Sequence, residues 1–206
     1  MLRLFRFVAV VLFSAVVMFQ GLPEAQAKIV IREKITYYPV RGRTGIDLGR
    51  AMVKSGPKAV HMRHAIAATA TKFDFTDAKL AVENGRCVVK DVTVKLTLTY
   101  YYPKWHGQSG TSTGLRRAWK AFYGELVRHE KTHGRIAKKY ASRLEKELKN
   151  MSGTVAFGCR DFGRWSLMRM KAMAAQLKIE QAAFDTREDS KSSKITRLQV
   201  VLLKSK

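Results

Sequence analysis

The chain has 206 residues, 46% of them hydrophobic, and a formal net charge of +23 at neutral pH. That hydrophobic share suits a packed core and excludes a disordered basic tail. The charge favours anionic neighbours at long range, yet no zinc finger, RNA-binding sheet signature or arginine-rich arm accompanies it, which argues against specific nucleic-acid recognition.

The first residues read as an export signal over 1–27. Arg3 and Arg6 precede an almost unbroken apolar run from Phe7 to Phe19, and Ala25-Gln26-Ala27 supplies a small-x-small cleavage site. The run is well short of the ~20 residues a membrane-spanning helix needs. The mature chain is expected to begin near Lys28, to occupy the periplasm or the outside of the cell, and to form a single domain over 28–206. Its positive surface would there meet anionic envelope polymers. Cys87 and Cys159 both fall in the exported part, so they read as one disulfide. Two cysteines cannot build a thiolate zinc site, and any metal must rely on histidine and carboxylate.

After the leader, Ile29 to Tyr38 is rich in β-branched and aromatic residues and reads as a strand ending at Pro39. A short helix follows around Ile46 to Val53, closed by Ser55-Gly56-Pro57. Ala68 to Phe75 is a second strand. Beyond the Glu83-Asn84-Gly85 turn, Val92, Val94, Leu96 and Leu98 alternate with Thr93, Lys95, Thr97 and Thr99, giving a strand with one apolar face. Pro103 to Thr113 is a loop. A long helix spans about Thr113 to Leu148, its apolar stripe carried by Trp119, Phe122, Leu126, Ile136, Tyr140 and Leu144. A second helix covers Phe162 to Ala183, and a weak strand is expected over Thr196 to Leu203. The fold class is therefore α+β, an antiparallel sheet packed on the long helix and a second, C-terminal helix.

The most informative residues are His129-Glu130-Lys131-Thr132-His133. On a helix, positions i and i+4 share a face, so two imidazoles at this spacing can close on one zinc ion. Glu130, about 100° further round, can face the open coordination position and exchange a proton with water there. A third protein ligand is needed. The metzincin extension is excluded, because Ile136 and Lys139 stand where glycine and histidine belong. Glu145 and Glu147 lie about 18–21 Å further along the same helix, out of reach. The candidates are Asp161, Glu180 and Asp185 among carboxylates and His61, His64 and His106 among imidazoles.

Several landmarks recur together: Tyr37-Tyr38-Pro39-Val40-Arg41-Gly42-Arg43-Thr44, Gly56-Pro57, Tyr102-Pro103-Lys104-Trp105, Trp119, the His129 to His133 motif, and a cysteine after the long helix. Over most of residues 30–190 the chain resembles an uncharacterised bacterial family described as predicted secreted zinc-dependent proteases. The resemblance implies His129 and His133 as metal ligands and Glu130 as catalytic base. The family's tail carries an aromatic-Asp pair and then Thr-x-His-Gly. Phe184-Asp185 matches the pair, whereas Glu188, Ser190 and Lys191 replace the threonine, histidine and glycine. The resemblance thus leaves Asp185 as the third ligand if the aspartate serves in that role, and a weaker or different site if the histidine does.

These readings combine into an expectation: an exported, zincin-like zinc hydrolase acting on peptide bonds, with Val92 to Tyr102 as the sheet edge that pairs with substrate. The competing expectation is a non-catalytic basic envelope protein that holds anionic polymers, with or without a structural zinc.

Overall fold

The computed structural model describes residues 26–58, 65–151 and 159–206. Residues 1–25 of the expected leader, together with His61 and His64, lie outside the described residues. In chain order the elements are β1 (Gln26–Arg41), α1 (Gly45–Ser55), β2 (Ala68–Glu83), β3 (Arg86–His106), α2 (Thr113–Lys149), α3 (Phe162–Glu188) and α4 (Lys194–Lys204). Among the described residues this is a mixed α+β arrangement of a three-stranded sheet and four helices. Among the described residues no helix is long and apolar enough to cross a membrane.

The β2–β3 hairpin forms for a local reason. Asn84 and Gly85 both take positive φ, 50° and 74°, the backbone of a tight hairpin turn whose twist matches the strands. β3 then alternates strictly: Val92, Val94, Leu96, Leu98, Tyr100 and Tyr102 are buried on one face while the intervening residues remain partly exposed. That buried face lies on α2, whose own apolar stripe includes Trp119, Phe122, Leu126, Ala137, Tyr140 and Leu144. Ser112 starts α2 by accepting from the Leu115 amide.

Three expectations are corrected. The sheet is mixed, with order β1-β3-β2: β2 runs antiparallel to β3 and β1 runs parallel to it. Val92 to Tyr102 is consequently the central strand, and the edges are β1 and β2. One apolar face is common to edge and central strands of a half-open sheet, so alternation alone does not separate them. Thr196 to Leu203 is helix α4, because Ile195, Leu198 and Leu202 fall at three- and four-residue steps that pack on the core, and Ser193 caps the start by accepting from Thr196.

Two close approaches fix the helices. A Cβ on Gly45 would lie 1.7 Å from the Leu202 carbonyl oxygen, so α1 and α4 touch through backbone. A Cβ on Gly134 would lie 2.1 Å from the Tyr100 hydroxyl, so this glycine, next to His133, lets α2 settle on β3. The Cys87–Cys159 disulfide ties the start of β3 to the segment before α3, across 72 residues of sequence.

Candidate metal centre

His129 and His133 sit one turn apart on α2, and α3 crosses that turn. Phe184 on α3 is buried against both imidazoles, its ring centroid 4.9 Å from His129 and 5.1 Å from His133. The next residue of α3, Asp185, is thereby delivered to the same spot. Its Oδ1 lies 2.9 Å from His133 Nε2 and 3.2 Å from His129 Nε2, and the two Nε2 atoms are 3.2 Å apart.

These three atoms make a triangle of donors. Four ligands placed tetrahedrally about 2.0–2.1 Å from zinc are separated from one another by roughly 3.3 Å. The observed edges fall within a few tenths of an ångström of that spacing. Without a cation the arrangement is awkward: if both Nε2 atoms carry hydrogens toward Asp185, those hydrogens oppose each other across the imidazole contact. A divalent ion at the centre removes the conflict, and the donor set suits zinc. The side chain of Asp185 is 45% exposed, so solvent reaches the triangle from the α3 side.

Glu130 is 4% exposed, yet it is not orphaned. Thr69 of β2 donates from its hydroxyl to Glu130 Oε2 at 2.7 Å and also reaches the Glu130 carbonyl at 3.1 Å. Burial raises the Glu130 carboxyl above its ordinary range, partly opposed by the Thr69 hydrogen bond and the neighbouring histidines. A carboxyl raised in this way is suited to exchange protons nearer neutrality than an exposed one. Asp185 goes the other way. Burial alone would raise it, but hydrogen bonds from His129 and His133 hold it far below the usual carboxylate range. Burial depresses His129, and its hydrogen bond to Asp185 with the negative charges around it more than reverses that, so the net direction is up.

Behind His129 lies a charged cluster. Its Nδ1 is buried without a hydrogen-bond partner, and the nearest carboxylate oxygen, Glu188 Oε2, is 3.7 Å away. Arg128 bridges Glu188 to Glu125, which is 5% exposed and also receives Lys194 at 2.9 Å. Sequence reasoning missed Thr69 and the Glu188–Arg128 pair. Thr69 carried no signal beyond a strand pattern, whereas Glu188 stood at a position already marked as a departure.

Among the described residues the other candidates do not join the site. Asp161 occupies the N-cap position of α3, Glu180 faces Lys139 at 3.8 Å, and His106 ends β3 exposed. Two clefts flank the triangle. One, of about 310 Å³, has His129 and Glu130 in its wall. The other, of about 770 Å³, is lined by Thr69 and Asp185 together with Tyr38, Tyr101 and Gln181.

The family described as "Bacterial protein of unknown function (DUF922)" matches residues 35–192. The chain belongs to this family. The DUF922 span takes in Thr69, His129, Glu130, His133, Asp185 and Glu188 and leaves out all of α4. No curated protein and no solved structure matches this DUF922 chain.

Proposed function

We propose that the protein is an exported zinc-dependent hydrolase, a metallopeptidase of zincin-like arrangement. The observation that carries this reading is the convergence of His129 Nε2, His133 Nε2 and Asp185 Oδ1 beside a buried glutamate held by a hydrogen bond. Zinc bound by these three residues would supply Lewis acidity, polarising a carbonyl oxygen and acidifying water. Glu130 would accept a proton from the attacking water and return it to the departing amine nitrogen. Thr69 keeps Glu130 in one rotamer, and Phe184 excludes water from the back of the imidazoles. With β3 in the centre of the sheet, the edge nearest the site is β2, and an extended peptide would add alongside Ala68 to Thr71.

The experiment is a Glu130→Gln substitution assayed on a mixed peptide substrate. Loss of turnover with zinc retained supports the reading, and unchanged turnover removes Glu130 from the chemistry.

A second reading, a polyanion-binding envelope protein, is favoured by the open sheet face. Register places Arg32, Lys34, Lys72 and Lys95 on the side away from α2, with Asp74 as the acidic neighbour. It predicts binding that falls steeply with salt and is indifferent to Glu130→Gln.

A further inference from the structure

The smaller cleft differs from the rest of this surface in its chemistry. Lysine and arginine make up 39 of the 206 residues, yet among the described residues none lines this cavity. Its walls are mainly apolar, formed by Ile66, Phe122, Leu126 and Ile195 with Val53 at one lip, and Thr196 and Gln199 are the uncharged polar neighbours. They come from four parts of the fold: Val53 from α1, Ile66 from the residues just before β2, Phe122 and Leu126 from α2, and Ile195 from α4. Leu126 and Phe122 are about one and two turns before His129 on the same helix, so the apolar wall runs directly into the site, where His129 and Glu130 close it. At about 310 Å³ it lies at the small end of ligand sites, with room for one large side chain rather than for an extended segment. The opposite cleft is larger and bears hydroxyl and amide groups, including Tyr38, Tyr101 and Gln181, which suits backbone and polar contacts.

We propose that this cavity is a specificity pocket that receives a bulky apolar side chain, leucine- or phenylalanine-like, from the residue beside the bond to be cut. The occupant follows from continuity with Glu130: whatever fills the cavity is within one residue of the carbonyl that the base and the metal ligands address. The proposal rests on the hydrolase reading above and adds the substrate class. Asp189 at the rim is exposed, so its attraction for a lysine side chain is screened by solvent and salt, whereas burial against the apolar walls is not.

The test uses the full chain and needs no turnover. The N-acetyl amides of leucine, phenylalanine, lysine and aspartate are titrated in turn while the methyl signals of Ile66, Ile195 and Leu126 are followed by NMR. The leucine and phenylalanine probes are expected to bind at least about tenfold more tightly than the lysine and aspartate probes and to shift those methyls. Ala65→Phe, which fills the cavity from its wall, should abolish the shifts. Val53→Trp fills it from the lip at a position already 56% exposed, and it carries the test if Ala65→Phe does not fold. Lysine or aspartate binding as well as leucine, or filled variants binding unchanged, overturns the proposal. Zinc content read on the same samples separates the two ideas. A metal-free protein that still selects leucine sinks the hydrolase reading alone, and a zinc-loaded one without selectivity sinks the pocket alone.

Discussion

Thr69 and Glu130, 61 residues apart, are joined twice: the threonine hydroxyl donates to the glutamate's carboxylate at 2.7 Å and reaches its main-chain carbonyl at 3.1 Å. The contact bolts Glu130 to the neighbouring edge strand, so its position depends on β2 as well as on α2.

Thr69→Val keeps the shape and removes the donor. A buried hydrogen bond to a charged acceptor contributes about 1.5–3 kcal/mol, so kcat is expected to fall roughly tenfold or more while zinc content is unchanged. Thr69→Ser restores the donor and should recover most of the rate. A rate that ignores all three side chains contradicts the assignment.

Glu188 faces the unpartnered Nδ1 of His129 at 3.7 Å. Carboxylates in this position orient a ligating imidazole, and their loss commonly weakens metal affinity about 10–100-fold. Glu188→Ala is expected to lower zinc affinity within that range in a competition titration with a chelator, and equal affinities would exclude the role.

Gly134 and Tyr100 define the tightest helix–strand contact beside the site. Gly134→Ala gains helix propensity of about 1 kcal/mol, but its methyl would sit 2.1 Å from a hydroxyl on a ring that is itself buried and stacked on Tyr102. The net expectation is a loss of about 1–3 kcal/mol, the usual cost of overpacking. Tyr100→Phe in the same chain removes the clashing oxygen and should return part of the loss, as measured by denaturant unfolding of the two singles and the double.

Much of this organisation is legible in the residues themselves. The long helix, its paired histidines, the disulfide and the β2–β3 turn all depend on local spacing or on chemistry that only a few residues can perform, and the structure has each of them. Asp185 could be chosen only because Phe184-Asp185 matches the aromatic-Asp pair of the family the chain resembles, and the packing of Phe184 against both imidazoles gives that pairing a physical reason. The parallel partnership of β1 and β3 leaves no local trace, since pairing direction is decided by how the chain returns after α1 and the hairpin. α4 misled because Val200, Val201, Leu202 and Leu203 favour strands as isolated residues, while the burial of Leu198 and Leu202 on α1 and α2 decides for helix.

Glu125 of α2 pairs with Lys194 of α4 and, through its neighbour Arg128 on the same helix, is linked to Glu188 of α3. Burial would raise the Glu125 carboxyl, but the hydrogen bonds from Lys194 and Arg128 outweigh this and hold it below the ordinary value. A depressed carboxylate contributes stability above its unfolded-state pKa, about 4.3, and that contribution is lost as pH falls through the lower folded value. Glu125→Gln should therefore be less stable than the parent at neutral pH and should lose less on acidification. Parallel stability–pH curves from pH 7 to pH 3 would contradict the role given to the cluster.

Metal stoichiometry on purified protein tests the central claim most directly. Elemental analysis of the parent, Glu130→Gln, His133→Ala and Asp185→Ala proteins is expected to find about one zinc per chain in the first two, essentially none in His133→Ala and a marked loss in Asp185→Ala. A parent protein that takes up no zinc when it is supplied, or zinc retained equally by His133→Ala and Asp185→Ala, would contradict it.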